Sequence, residues 1–185
     1  MVPGRERQND KERPIIKLIE KSFEGALPMF SKLFKTDADW VLTIQRIVLG
    51  IVFFAHGAQK MLGWYGGYGF SGTMGFFTRA GIPAPLAFLA ICAEFLGGLG
   101  LILGLLSRVA ALGIGVNMLV AVAMLHRHFG LFMNWSGTQK GEGFEFHLLV
   151  LAIVLAIIVR GAGALSLDRA IHCSLAEGSP VANRH

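Results

Sequence analysis

The chain has 185 residues, enough for one ordinary domain, but 54% of them are apolar and only 16% charged, against about 25% charged in a typical soluble domain. The net charge is +5, and the charges are uneven: residues 1–39 hold eight Lys/Arg and seven Asp/Glu, residues 40–185 nine and five. So apolar a second region excludes a water-soluble domain with a charged shell, and its basic residues, set singly at segment ends, give no continuous track for nucleic acid.

Residues 1–39 read as a cytoplasmic tail. Ile15, Ile16, Ile19, Phe23 and Leu27 fall on one stripe between Pro14 and Pro28, which predicts an amphipathic helix over 14–27, lying on the membrane surface or against protein. The charged start lacks a short apolar run, so no cleaved leader is expected.

Four apolar segments follow, at about 40–62, 86–106, 108–128 and 143–164. Each is near the ~20 residues that span a hydrocarbon core, and helices satisfy their own backbone groups there. The fold class expected is therefore all-α, a four-helix transmembrane bundle over residues 40–170, followed by a polar tail over 171–185. Gly100 and Gly104 form a GxxxG, and Ala111 with Gly115 a small-xxx-small pair, spacings that permit close helix contact. Between the first two spans, Phe70, Met74 and Phe77 repeat at helical spacing. They predict a short interfacial helix, framed by Trp64, Tyr65 and Tyr68 at headgroup level, that lies over the bundle as a lid.

Lys/Arg near the segment ends number five on one side (Lys32, Lys35, Arg108, Arg160, Arg169) and four on the other (Lys60, Arg79, Arg127, Lys140). With the basic tail, this orients both termini towards the cytoplasm of a multi-pass inner-membrane protein.

At ~1.5 Å per residue, His56 and Lys60 of the first segment reach the same outer half of the bundle as Glu94 of the second. His126 and His128 of the third join them, as do Glu145 and His147 of the fourth. Arg46 and Asn117 lie deeper. An unpaired charge at the bilayer centre costs about 2.5–3.5 kcal/mol by insertion scales, so these groups need partners or protonation, and they are candidate site residues. The bland readings are specific too. Lys60 can snorkel to the interface, and His126, Arg127 and His128 can close a helix in headgroups. Arg46 can pair structurally with a helix or a lipid phosphate, and Asn117 can bridge two helices.

Imidazole and carboxyl groups on facing helices can hydrogen-bond quinone carbonyls and carry the accompanying protons. Glu94 and His56 are the expected catalytic pair, and His56, Lys60, Trp64, Glu94, His126 and Glu145 the expected cofactor-binding set, with quinone the ligand and no metal. No cofactor motif is present. A haem on His56 and His126 lacks an attachment motif, a divalent metal lacks HExxH or comparable spacing, and Cys92 and Cys173 form no CxxC.

The stretches "FFAHGAQKMLGWYGG" (53–67), "GIPAPLAFLAICAEFLGGLGLILGLLSRVAAL" (81–112), "LHRHFGLF" (125–132), "GFEF" (143–146) and "GAGALSLD" (161–168) together resemble the DoxX family of small four-helix membrane proteins, over about residues 40–170. The resemblance implies a redox setting: some members are subunits of a membrane enzyme passing electrons from thiosulfate to quinone, and others are linked to oxidant-defence complexes. His56, Lys60, Glu94, Glu145 and Asp168 fall within the matching stretches, Asp168 as a cap at the start of a terminal helix.

The resulting expectation is a membrane protein of a redox system, a quinone-linked oxidoreductase subunit. The alternative is a non-catalytic accessory or assembly subunit of a larger membrane complex. The expected partners are membrane lipids, protein subunits or further copies of the chain. Transport is the weakest reading, because four short segments without an internal repeat make a poor transporter.

Overall fold

The computed structural model describes residues 32–177, so the helix predicted over 14–27 lies outside them. Six α-helices follow one another among the described residues from Trp40 on: α1 Trp40–Met61, α2 Gly69–Arg79, α3 Ala84–Leu103, α4 Ser107–Met124, α5 Glu145–Arg160 and α6 Leu167–Glu177. Short 3-10 turns lie at Trp64–Gly66 and His126–Phe129, and no strand occurs among the described residues. Helices α1, α3 and α4 are long and apolar enough to cross a membrane.

The fourth segment is shorter than its hydropathy predicts. α5 holds 16 residues, about 24 Å at 1.5 Å per residue. The chain leaves the helix at Gly161 (φ 92) and folds back through Gly163 (φ 86). These conformations favour glycine, and a Cβ on Gly163 would fall 2.8 Å from the Asp39 carbonyl oxygen. The third segment likewise stops early, at Met124, and its two outer histidines sit in a 3-10 turn.

α1 begins where Asp39 accepts the Leu42 N–H at 3.0 Å, an N-cap worth about 1 kcal/mol. Its tightest seam is with α3, where Gly50 and Gly57 meet the α3 backbone and Gly98 meets that of Phe54. The predicted Gly100–Gly104 pair does something else. Gly104, at φ 69, closes α3: its own N–H donates to Leu101 O and the Leu105 N–H donates to Gly100 O, a Schellman pattern. Gly115 does pack closely, against Val154 of α5. Leu49 and Phe53 of α1, Leu101 of α3, Ile114 of α4 and Val154 and Ile157 of α5 belong to one buried hydrophobic cluster.

One end of the bundle, called the tail end here, gathers residues 32–39 and the α5–α6 link. Arg46, only 1% exposed, serves that end structurally. Its guanidinium donates to the Ala162 (2.7 Å) and Leu165 (2.6 Å) carbonyls of the link and to the Leu101 and Ile102 carbonyls in the last turn of α3. Asp168 also departs from expectation. It lies in the first turn of α6, yet its carboxylate accepts the Leu106 (2.7 Å) and Ser107 (2.9 Å) N–H groups and so caps α4. Ser166 caps α6 instead, accepting the Arg169 N–H. The cap is needed because Leu106 sits in the left-handed region (φ 50) and brings no capping side chain of its own.

The opposite end, the cap end, is covered by α2 and by the loop between α4 and α5. Phe70 of α2 packs edge-on against Phe88 of α3. The loop folds on itself: Gly143, Phe144 and Glu145 N–H groups donate to Phe132, Gly130 and Leu131 carbonyls, and the Asn134 N–H donates to the Glu142 carboxylate at 2.6 Å.

Candidate functional site

Below this cover the helices part around a cavity of about 540 Å³, within the range of small-molecule and cofactor sites. Its walls are largely apolar, with Phe53 from α1, Phe76 and Phe77 from α2, Met118 from α4 and Phe146 from α5. The polar groups reach it from four helices and the loop. They are His56 and Lys60, Glu94, Asn117, His147, and His126 with Glu142.

Helix geometry accounts for the first three. His56 and Lys60 are four residues apart and share a face. The glycine seam brings that face close to α3, and the Lys60 ammonium forms an ion pair with the Glu94 carboxylate. The Lys60 side chain is 29% exposed and that of Glu94 8%, so the pair is desolvated on the α3 side and open on the other. Pairing removes the main objection to a carboxylate and an ammonium within an apolar segment.

Across the cavity the rings of His126 and His147 lie 4.2 Å apart between centroids, tilted by 44°. The loop holds His126, whose Nδ1 is 2.8 Å from the Glu142 carbonyl oxygen. That oxygen can only accept, so Nδ1 carries the proton and Nε2 is left as acceptor when the ring is neutral. His147 is 6% exposed, and its Nδ1 has no hydrogen-bond partner among the described residues. Below the pair, the Asn117 amide donates to the Ala90 carbonyl at 2.8 Å, joining α4 to α3 as an interhelical bridge.

The structure thus brings His56, Lys60, Glu94 and His126 to one cavity and leaves two members of the expected set outside it. Trp64 is 51% exposed and packs on Tyr65; the left-handed Gly63 (φ 75) turns the chain away before it. Glu145 is engaged elsewhere, accepting the Met133 N–H (3.1 Å) and the Trp135 indole N–H (3.0 Å), which ties down the loop. His128 is exposed and accepts from Arg127. Sequence reasoning brought His147 to this half of the bundle without giving it a role, and missed Glu142, Phe76 and Phe146. Only the i, i+4, i+7 spacing of Phe70, Met74 and Phe77 hinted at the α2 contribution. Among the described residues no cluster of three or more His, Cys, Asp or Glu could hold a metal ion.

Comparison with known proteins gives a family and several membrane-protein relatives. The family model described as DoxX matches residues 41–127, from the second residue of α1 to just past the end of α4. The chain is similar to the inner membrane protein YqjF of Escherichia coli (strain K12), 30% identical over 129 residues that cover 70% of this chain and 90% of the relative. It is 28% identical to "Putative oxidoreductase CatD" of Bacillus subtilis (strain 168), over 66% of this chain and 81% of the relative. It is 26% identical to the inner membrane protein YphA of Escherichia coli (strain K12), over 70% and 89%. No solved structure matches the chain.

Proposed function

The chain belongs to the DoxX family, and from that premise we propose that it is a quinone-linked membrane protein of a redox system whose cavity holds the quinone ring. The observation that carries this reading is the pairing of Lys60 with Glu94 on the wall of a mostly apolar cavity that also holds the His126–His147 pair. A quinone ring needs flat apolar walls and donors for two carbonyl oxygens. The Lys60 ammonium and an imidazole N–H of His56 are donors, the His126 Nε2 is an acceptor for a quinol hydroxyl, and Phe53, Phe76 and Phe146 are suitable walls. Reduction to the quinol adds two protons, and Glu94, His56 and His126 are groups that can pass them. The electrons must come from a partner or a soluble donor. That CatD's name describes an oxidoreductase is consistent with this role.

In this reading α5 also crosses the membrane, with Phe144 and the loop extending its 16 residues, giving four spans. Both termini lie in the cytoplasm, and the cavity lies in the outer half of the bilayer. The full chain purified in mild detergent should retain extractable quinone and rebind added tail-less benzoquinone. The double variant Glu94→Gln/His56→Ala should lose most of that binding. Wild-type binding in the double variant would remove the site assignment.

A further inference from the structure

The cavity does not stay inside the bundle. The lipid-facing stripe of α4 runs through Val109, Leu112, Val116 and Val120 at helical spacing, all more than 40% exposed. Val120, at 44% exposed, continues that stripe and also lines the cavity, as does Met124 one turn further on. Opposite them the lining passes to Ala80 and Ile82, in the link that joins α2 to α3. On the tail-end side the gap is closed by the Asn117–Ala90 hydrogen bond and, one turn below, by Gly113 against Ala93. Towards the cap end no such bridge joins α3 to α4 among the described residues.

We propose that this gap is a lateral portal from the bilayer, and that it sets the ligand class: an amphiphile with a small polar head and a flexible isoprenoid or acyl tail. The head enters sideways towards Lys60, Glu94 and the histidines. The tail stays in the gap against Ala90, Val120 and Met124 and runs out into lipid. Asn117 and Ala90 set the floor, so side-chain size at Ala90 and Val120 selects for tail width. The inference rests on the reading of the cavity as a ligand site and adds how the ligand arrives and what its tail must be.

The test uses the full chain in phosphatidylcholine vesicles with two photoreactive probes, each in its own preparation. One is a long-tailed isoprenoid benzoquinone with a diazirine in the tail; the other is a phosphatidylcholine with a diazirine on one acyl chain. Adducts are mapped by mass spectrometry after irradiation. The quinone probe should label Ala90, Val120 or Met124, competed by unlabelled long-tailed quinone. Val120→Trp should cut this labelling at least fivefold while binding of a tail-less benzoquinone stays within twofold of wild type. Val116→Trp, one turn below on the same stripe and outside the cavity, should behave as wild type. Labelling confined to residues such as Leu89 and Leu112 would overturn the portal. So would an equal loss of tailed and tail-less quinone in Val120→Trp, or tail-less binding with no binding of the tailed form. If neither quinone binds but the phospholipid probe labels Ala90 and Met118, the portal stands and the quinone reading falls.

Discussion

The ammonium of Lys60, in the last turn of α1, is ion-paired with the carboxylate of Glu94, in the middle of α3. The contact crosses the seam at which the two helices approach most closely, and it faces the cavity on its open side. Removing one partner of a buried pair leaves the other charge uncompensated, at about 3–5 kcal/mol when burial is complete. Lys60 is partly exposed, so a cost of about 1–3 kcal/mol is expected here. Thermal unfolding in detergent should show Lys60→Met and Glu94→Gln each less stable than wild type. The Lys60→Met/Glu94→Gln double variant should fall less far than the sum of the two, and strict additivity would show that the pair is not coupled.

Arg46 makes a stronger demand on stability. Its guanidinium satisfies carbonyls of two separate segments, at the end of α3 and in the α5–α6 link. Each buried acceptor left unpaired costs about 1–3 kcal/mol, so Arg46→Met should lower the unfolding midpoint more than any variant in the cavity. Arg46→Lys should not restore it, because a single ammonium cannot span positions that a planar fork reaches. A Lys variant as stable as wild type would show that charge alone matters there.

The glycine seam gives a contrast within one residue type. A Cβ on Gly98 would overlap the backbone of Phe54, whereas one on Gly75 would find its nearest neighbour at 3.5 Å, the flexible end of Arg79. Gly98→Ala should therefore destabilise by about 1–3 kcal/mol through forced separation of α1 and α3. Gly75→Ala should be neutral or stabilise by up to about 1 kcal/mol through helix propensity. Equal unfolding midpoints for the two variants would contradict the close approach.

Asp168 joins residues far apart in sequence. Asp168→Ala strips the start of α4 of its acceptor and should cost about 1–2 kcal/mol, while Asp168→Asn, which keeps one acceptor oxygen, should recover part of it. Hydrogen exchange should locate the loss at Leu106 and Ser107. Faster exchange confined to α6 would instead return Asp168 to a local role.

How far these features can be read from the sequence depends on their range. α1 was predicted over 40–62 and occupies Trp40–Met61, because a local N-cap and a glycine bracket one apolar run. The meeting of Lys60 with Glu94 follows from rise per residue and antiparallel order, both of which a sequence carries. The partners of Arg46 are backbone carbonyls, which no residue identity marks. The cap supplied by Asp168 acts on residues about 60 positions earlier. The loop over the cavity has no hydrophobic period, and side-chain contacts such as Glu145 to Trp135 fix its shape. That is why Glu145 read as a site residue while Glu142 went unnoticed.

The central claim is that the groups around this cavity hydrogen-bond a quinone ring, and infrared spectroscopy of a quinone 13C-labelled at each carbonyl in turn tests it most directly. Bound to the wild-type protein, at least one labelled carbonyl band should move to lower frequency than in lipid alone, and Lys60→Met or His56→Ala should return it. Bands that match those in lipid, or a shift that both variants leave untouched, would contradict the account.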